Sequence, residues 1–169
     1  MKAGLGKGRM ASSEIEYTTY IHASPEQLWR ALTDPAFTWR YWGVAYESDW
    51  RVGSPVKVQV TPDGDFSDLG SVVLESEPYR RLSFSNGTAP PEHLEQYGRS
   101  ADDQADEPRR STTTFDIEPM GATVKLTLVH AGLQPTSEDF DAYAEGWPQV
   151  LSSLKTLLET GETLPLPTE

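Results

Sequence analysis

The sequence predicts an α+β fold: a curved antiparallel sheet of about six to seven strands, two short helices after the first strand, and a long C-terminal helix across the concave face. Three observations carry this. Val56, Val58 and Val60 alternate with Lys57 and Gln59, and Val124, Leu126 and Leu128 alternate with Lys125 and Thr127. Such alternation marks antiparallel strands with one buried and one wet face. The near-continuous apolar strands separated by helices that a parallel sheet requires do not occur. Helical periodicity is confined to the stretch after the first strand and to the C-terminal part.

Residues 1–13 hold Lys2, Lys7 and Arg9 with almost no apolar periodicity and read as a mobile leader. A domain is expected over 14–161, followed by a tail at 162–169. In EIEYTTYI, Ile15, Tyr17, Thr19 and Ile21 share one face, which makes the first strand. SPEQLWRALTDP follows. Ser24 caps a helix, Pro25 suits its first position, and Gln27 completes a capping box. A second short helix is expected from Ala36 to Tyr41, ended by Gly43. Strands are then expected over 44–48, 55–61, 70–76, 80–84, 112–118 and 122–129, with turns at Asp63-Gly64 and Met120-Gly121. Between Asn86 and Arg110 runs NGTAPPEHLEQYGRSADDQADEPRR, where six acids (Glu92, Glu95, Asp102, Asp103, Asp106, Glu107) and Pro90-Pro91 indicate a flexible, charged loop. The last helix carries Phe140, Tyr143, Trp147, Val150, Leu151, Leu154, Leu157 and Leu158 at mostly three- and four-residue steps, closed by Gly161. Gly146 and Pro148 predict a kink or a restart at Trp147.

Charge and composition exclude several functions. Fourteen Lys and Arg against 26 Asp and Glu leave a net charge of −12 in 169 residues, which repels nucleic-acid phosphates and anionic lipid. With no cysteine, disulfides, thiolate nucleophiles and Cys-ligated metals are absent. No apolar run suffices to span a bilayer, and a cytoplasmic location is expected. His22, His93 and His130 are far apart and match no metal-ligand spacing. No cofactor or metal is expected. Glu75 and Glu77 share a strand face with Val73, opposite Val72 and Leu74, and are expected to point to water rather than form a carboxylate pair. Ser152 and Lys155 match S-x-x-K by chance inside an amphipathic helix. No catalytic set emerges.

A curved sheet holds a crossing helix off its centre and encloses apolar space. The expected lining of such a cavity is Trp29, Val56, Val58, Val124, Leu126, Phe140, Tyr143 and Trp147, with His130 the polar candidate at its mouth. Tryptophans 29, 39, 42, 50 and 147, with Phe37, Tyr41 and Phe140, gather on the helices and loops that close its ends. Those rings either fill a core or line a pocket for a flat, apolar molecule.

SPEQLWRALTDP, WRYWG, PYRRLSFS, TTTFDIEP, TVKLTLVHAGL and GWPQVLSSLKTLLETGE, taken together and in this order, resemble the SRPBCC (START-like, helix-grip) superfamily, nearest to the branch named for the activator of the heat-shock-protein ATPase. The likeness spans about residues 14–161; the leader, the acidic 86–110 stretch and the Pro-containing tail depart from it. It implies the architecture above and leaves activity open, because members include lipid carriers, polyketide cyclases, hormone-binding proteins and co-chaperone domains. The first expectation is non-enzymatic binding of a small hydrophobic molecule between the last helix and the sheet. A second is an aromatase/cyclase-type enzyme, needing an inward polar group such as His130, Tyr20 or Asp49. A third is a co-chaperone-like interaction module with a protein partner, for which a basic surface would suit the acidic charge. A homodimer is compatible with each.

Overall fold

The computed structural model describes residues 14–87, 111–133 and 137–165. The expected leader, nearly all of the acidic loop (His93 included) and residues 166–169 lie outside the described residues. The elements are β1 (Ile15–Ile21), α1 (Pro25–Thr33), α2 (Pro35–Trp42), β2 (Ala45–Glu47), β3 (Lys57–Gln59), β4 (Val73–Glu77), β5 (Arg81–Ser85), β6 (Thr112–Met120), β7 (Thr123–Ala131) and α3 (Glu138–Thr160).

All pairings are antiparallel. Five strands make one sheet in the order β1-β7-β6-β5-β4, while β2 and β3 make a separate pair. Among the described residues seven strands therefore form, in two pieces rather than one sheet. Pro55 bridges to Val72 between the pieces. It offers no N–H to extend a ladder, and a bulge between Val73 and Glu75 bends β4 at this point. The same bulge corrects the facing expected for this strand. Val73 is buried and Leu74 is 40% exposed, the reverse of the expectation. The extra residue still turns Glu75 to solvent, where it pairs with Arg81 at 2.8 Å. Arg81 also holds Asp116 through Nη1, at 2.7 and 2.8 Å.

The β6–β7 hairpin runs in unbroken register from Thr112↔Ala131 to Met120↔Thr123. Gly121 turns it at φ 69°, where a side chain would be strained. Phe115 and Ile117 of β6 and Val124, Leu126 and Leu128 of β7 face inward. The helices begin where sequence places them. Gln27 N–H donates to Ser24 Oγ at 3.2 Å and Ser24 N–H to Gln27 Oε1 at 2.8 Å, the reciprocal capping box. Asp34 Oδ1 caps α2 at 3.0 Å, and Gly43 ends it with φ 82°.

Helix α3 presents Trp147, Leu151, Leu154 and Leu157 to the sheet, all buried in the core shared with Ile21, Leu28, Phe115 and Leu126. No restart occurs at Trp147: the helix runs unbroken through Pro148 to Thr160 and is capped by Gly161. Pro148 has no N–H to donate to the Ala144 carbonyl one turn back, and Ala144 lies on the exposed side of the helix. Arg40 Nη2 donates to Gly161 O at 2.9 Å and ties α2 to the end of α3. Lys155 Nζ donates to Tyr20 O at 2.6 Å, while Glu159 Oε2 accepts from the His22 N–H at 3.3 Å.

Two substitutions test this packing. Leu154→Ala deletes a fully buried side chain and should cost about 2–5 kcal/mol in urea unfolding; an unchanged midpoint contradicts the register of α3. Gly146→Ala should add up to about 1 kcal/mol, because no atom lies within 4 Å of the added Cβ. A loss of stability there would mean that the turn before Pro148 requires glycine.

Candidate functional site

Five rings from five elements form a closed circuit where α3 crosses the sheet. Trp147 of α3 lies 4.9 Å from Trp42 of α2, centroid to centroid, and Trp42 lies 4.9 Å from Tyr46 of β2. Tyr46 reaches Phe84 of β5 at 6.0 Å, Phe84 reaches Phe115 of β6 at 6.4 Å, and Phe115 meets Trp147 edge-on at 6.2 Å. These spacings are those of tilted and edge-to-face aromatic pairs. Trp50 joins at Phe84, 6.3 Å away. Its indole N–H donates to Thr33 O at 3.0 Å, and its backbone is held at φ 57°, uncommon for a bulky residue. Tyr143 stacks on Trp147 with centroids 6.2 Å apart.

Beside this circuit lies a buried polar network. His130 is wholly buried. The Trp147 indole donates to its Nδ1 at 2.9 Å. An indole nitrogen only donates, so Nδ1 is unprotonated and the neutral ring carries its hydrogen on Nε2. Nε2 faces Ser111 Oγ at 2.9 Å, with Asn86 Nδ2 3.2 Å away. Asn86 Nδ2 donates to Ser111 Oγ at 3.1 Å and to Thr113 Oγ1 at 2.9 Å. Tyr143 packs against the imidazole edge with centroids 4.3 Å apart. Asn86 and Ser111 therefore close the base of the β5–β6 connection on a histidine that is itself fixed by α3.

The electrostatics follow from burial. Desolvation pushes His130 down from 6.5 to about 4. It holds the Tyr41 hydroxyl, which donates to Ala31 O at 2.9 Å, far above its ordinary value, with a smaller push from Tyr46. The Tyr46 hydroxyl is raised by burial and then by nearby Tyr143; that of Tyr143 is raised by burial and then by Asp139. These phenols stay protonated at ordinary pH.

The residues singled out in the sequence are distributed as follows. Val56, Val124, Leu126 and Trp147 are buried in the core. Val58 pairs with Tyr46 across the small sheet and is half-buried. Phe140 is half-buried, Tyr143 is 37% exposed, and Trp29 makes its ring contact with Tyr79, 6.2 Å away and outside the circuit. Sequence reading did not single out Tyr46, Phe84, Phe115, Asn86, Ser111 or Thr113. Phe84 and Phe115 fall in the stretches 80–84 and 112–118, which the sequence assigned to strands without a facing. Asn86 and Ser111 carried no such signal. Among the described residues, no group of three or more metal-ligating side chains comes together, and no helix is long and apolar enough to cross a membrane.

Residues 22–159 match the model of the Activator of Hsp90 ATPase homolog 1-like protein family. The chain belongs to that family. A comparison with curated proteins gives no match. Among solved structures, a protein of Mesorhizobium loti is 24% identical, with 86% of this chain and 96% of that one covered and a TM-score of 0.63. The Aha1 dimer of Colwellia psychrerythraea is 22% identical over 88% and 97% of the two chains, with a TM-score of 0.65. A protein of Arthrobacter aurescens is 17% identical over 95% and 94%, with a TM-score of 0.67. These structures share the α+β, helix-over-sheet fold expected of the superfamily. One of them, the Colwellia protein, is a homodimer.

His130 gives stability a definite pH dependence. Its folded pKa lies below the unfolded value, so its contribution is complete above pH 6.5 and is lost as pH falls towards 4. Unfolding free energy measured with urea should drop by roughly 3 kcal/mol over that interval. In His130→Gln this component should disappear, so the difference between wild type and variant narrows as pH falls. A difference that stays constant from pH 7 to 4 would show that the ring does not titrate as its burial requires.

Proposed function

We propose that residues 14–161 form one domain that binds a small hydrophobic molecule between α3 and the five-stranded sheet, without catalysing a reaction. The ring circuit of Trp42, Tyr46, Phe84, Phe115 and Trp147 carries this reading. Rings offer large apolar area with few rotors to freeze, and burial contributes about 25 cal/mol per Å². Micromolar affinity is within reach of that term after association costs. The cyclase-type alternative draws less support. Both His130 nitrogens already have partners, Tyr20 is 51% exposed on the outer face, and Asp49 is exposed. The Asp49 carboxyl is held below the usual range chiefly by its hydrogen bond to Ser54.

An interaction module is the second reading. Tyr79, 46% exposed at φ 70° and edge-on to Trp29, favours it by offering a fixed aromatic pair at the surface. We place the protein in the cytoplasm, and a homodimer is compatible with both readings.

Three of the five tryptophans adjoin the proposed site, so intrinsic emission is a direct probe. Titration with neutral polycycles and fatty acids should give saturable quenching at micromolar concentration, with a rise in Tm as ligand stabilises the folded state. Tyr46→Ala should weaken binding about tenfold. Absence of saturable binding by any member of the panel would overturn the reading and favour the interaction module.

A further inference from the structure

Asn86 is the only asparagine in the chain, and Gly87 follows it. Asparagine before glycine is the pair most prone to lose its amide, because no Cβ hinders the next backbone nitrogen from reaching the side-chain carbonyl. The fold holds both residues in place. A Cβ at position 87 would stand 2.6 Å from the Leu69 carbonyl oxygen, so a close approach of two backbones requires glycine there. Asn86 closes the base of the β5–β6 connection, with its N–H on Ser111 O at 2.8 Å and its Nδ2 on the Ser111 and Thr113 hydroxyls. Both residues lie past the end of β5, where backbone opens most readily. Gly87 is exposed, and its N–H makes no hydrogen bond among the described residues. The attacking nitrogen is available.

The surroundings of the Asn86 side chain also favour an acid there. With Nδ1 occupied by the Trp147 indole, His130 carries its hydrogen on Nε2. Ser111 Oγ accepts it at 2.9 Å, while Asn86 Nδ2 faces the same N–H at 3.2 Å, donor against donor. An amide meets that N–H only by turning its oxygen over, whereas a carboxylate offers an acceptor with either oxygen. The Ser111 and Thr113 hydroxyls, within 3.2 Å of the amide, have hydrogens to turn toward the same carboxylate.

We propose that Asn86 is a self-modification site, where deamidation through Gly87 sets a carboxylate against His130. The Gly87 nitrogen bonds to Asn86 Cγ, the Cγ–Nδ2 bond breaks, and the amide nitrogen leaves as ammonia with the proton that Gly87 gives up. Water then opens the cyclic imide. Cleavage of the bond from nitrogen to Cγ restores the chain with an aspartate at 86; cleavage at the backbone carbonyl leaves an isoaspartate. In the aspartate form the carboxylate accepts the Nε2–H and draws a second proton to the ring, and a charged imidazole carries hydrogen on both nitrogens. Nδ1 then no longer accepts from the Trp147 indole, and the directed tie between α3 and the sheet opens. The groups facing the ring (Tyr143 and Trp147 of α3, Ile15 of β1, Thr113 of β6 and Ser111 before it) carry no charge to offset this. The change is spontaneous and one-way, so it records the age of each molecule.

The full chain, aged for weeks at mildly alkaline pH beside the same chain in urea, tests the first step by peptide mapping with mass spectrometry. The folded chain should gain the mass of one amide-to-acid exchange, confined to the peptide holding residue 86, at a rate within about tenfold of the unfolded chain. Asp63-Gly64 rearranges without a change of mass, so the two sites are told apart. Conversion in urea alone means that the fold shields Asn86 and overturns the proposal, as does no conversion at all. In Asn86→Gln the gain should vanish on this time scale; its persistence overturns the assignment to 86. The second step is read on the aged aspartate form, which its extra negative charge separates by ion exchange, and on Asn86→Asp. In both, His130 should titrate at least about one pH unit above its value in the fresh chain, followed by its ring proton resonances. Tryptophan emission should change over the same interval. An unshifted His130 overturns the contact with the ring, and if Asn86→Asp does not fold, the aged form decides.

Discussion

The hydrogen bond from the Trp147 indole to His130 Nδ1 fixes the relation between the last helix and the sheet. Apolar burial alone holds α3 down without fixing its rotation, since leucine side chains pack in several ways at similar cost. One directed bond in a dry setting removes that freedom. It also sets the imidazole tautomer, which decides that Nε2 turns to Ser111 and that Asn86 and Ser111 meet. The ring circuit depends on the same contact, because Trp147 holds Trp42 on one side and Phe115 on the other. Replacement of the indole by a ring without N–H would keep much of the burial and leave an acceptor stranded inside.

Much of the fold was legible because its signals are local. A capping box needs four residues, and an alternating strand needs five or six. Ser24-Gln27 and the β6–β7 hairpin accordingly appear where the sequence puts them. Expectations failed where a local rule met a distant one. The bulge in β4 turns on the Val73 and Glu75 pairings with β5, and no pattern inside 70–76 announces it. Pro148 sits in a helix whose apolar stripe is anchored on both sides of it, and that packing outweighs one missing bond.

The site was legible in part for a related reason. Periodicity assigns a residue to a face, so Val124, Leu126 and Trp147 were already on inner faces. It does not say which inner residues touch. Tyr46 reaches the circuit because the small sheet folds over the large one at Pro55 and Val72, a consequence of tertiary placement. Asn86 and Ser111 are polar residues beside a polar loop, and only the fold reveals that they serve a buried histidine. Family membership added architecture and did not specify an activity.

The contact between α3 and the edge of the sheet has a consequence beyond stability. β1 borders the five-stranded sheet and consists of Ile, Tyr, Thr and a single Glu, without proline or lysine, the composition of a strand ready to template another. The ion pair of Lys155 and Glu159 occupies the Tyr20 carbonyl and the His22 N–H as a neighbouring strand would. One helical turn thus serves as a surrogate strand at the most adhesive end of the border. The helix that covers the core also guards the protein against growing into a longer sheet, so damage to its last turns would register first as self-association at high protein concentration.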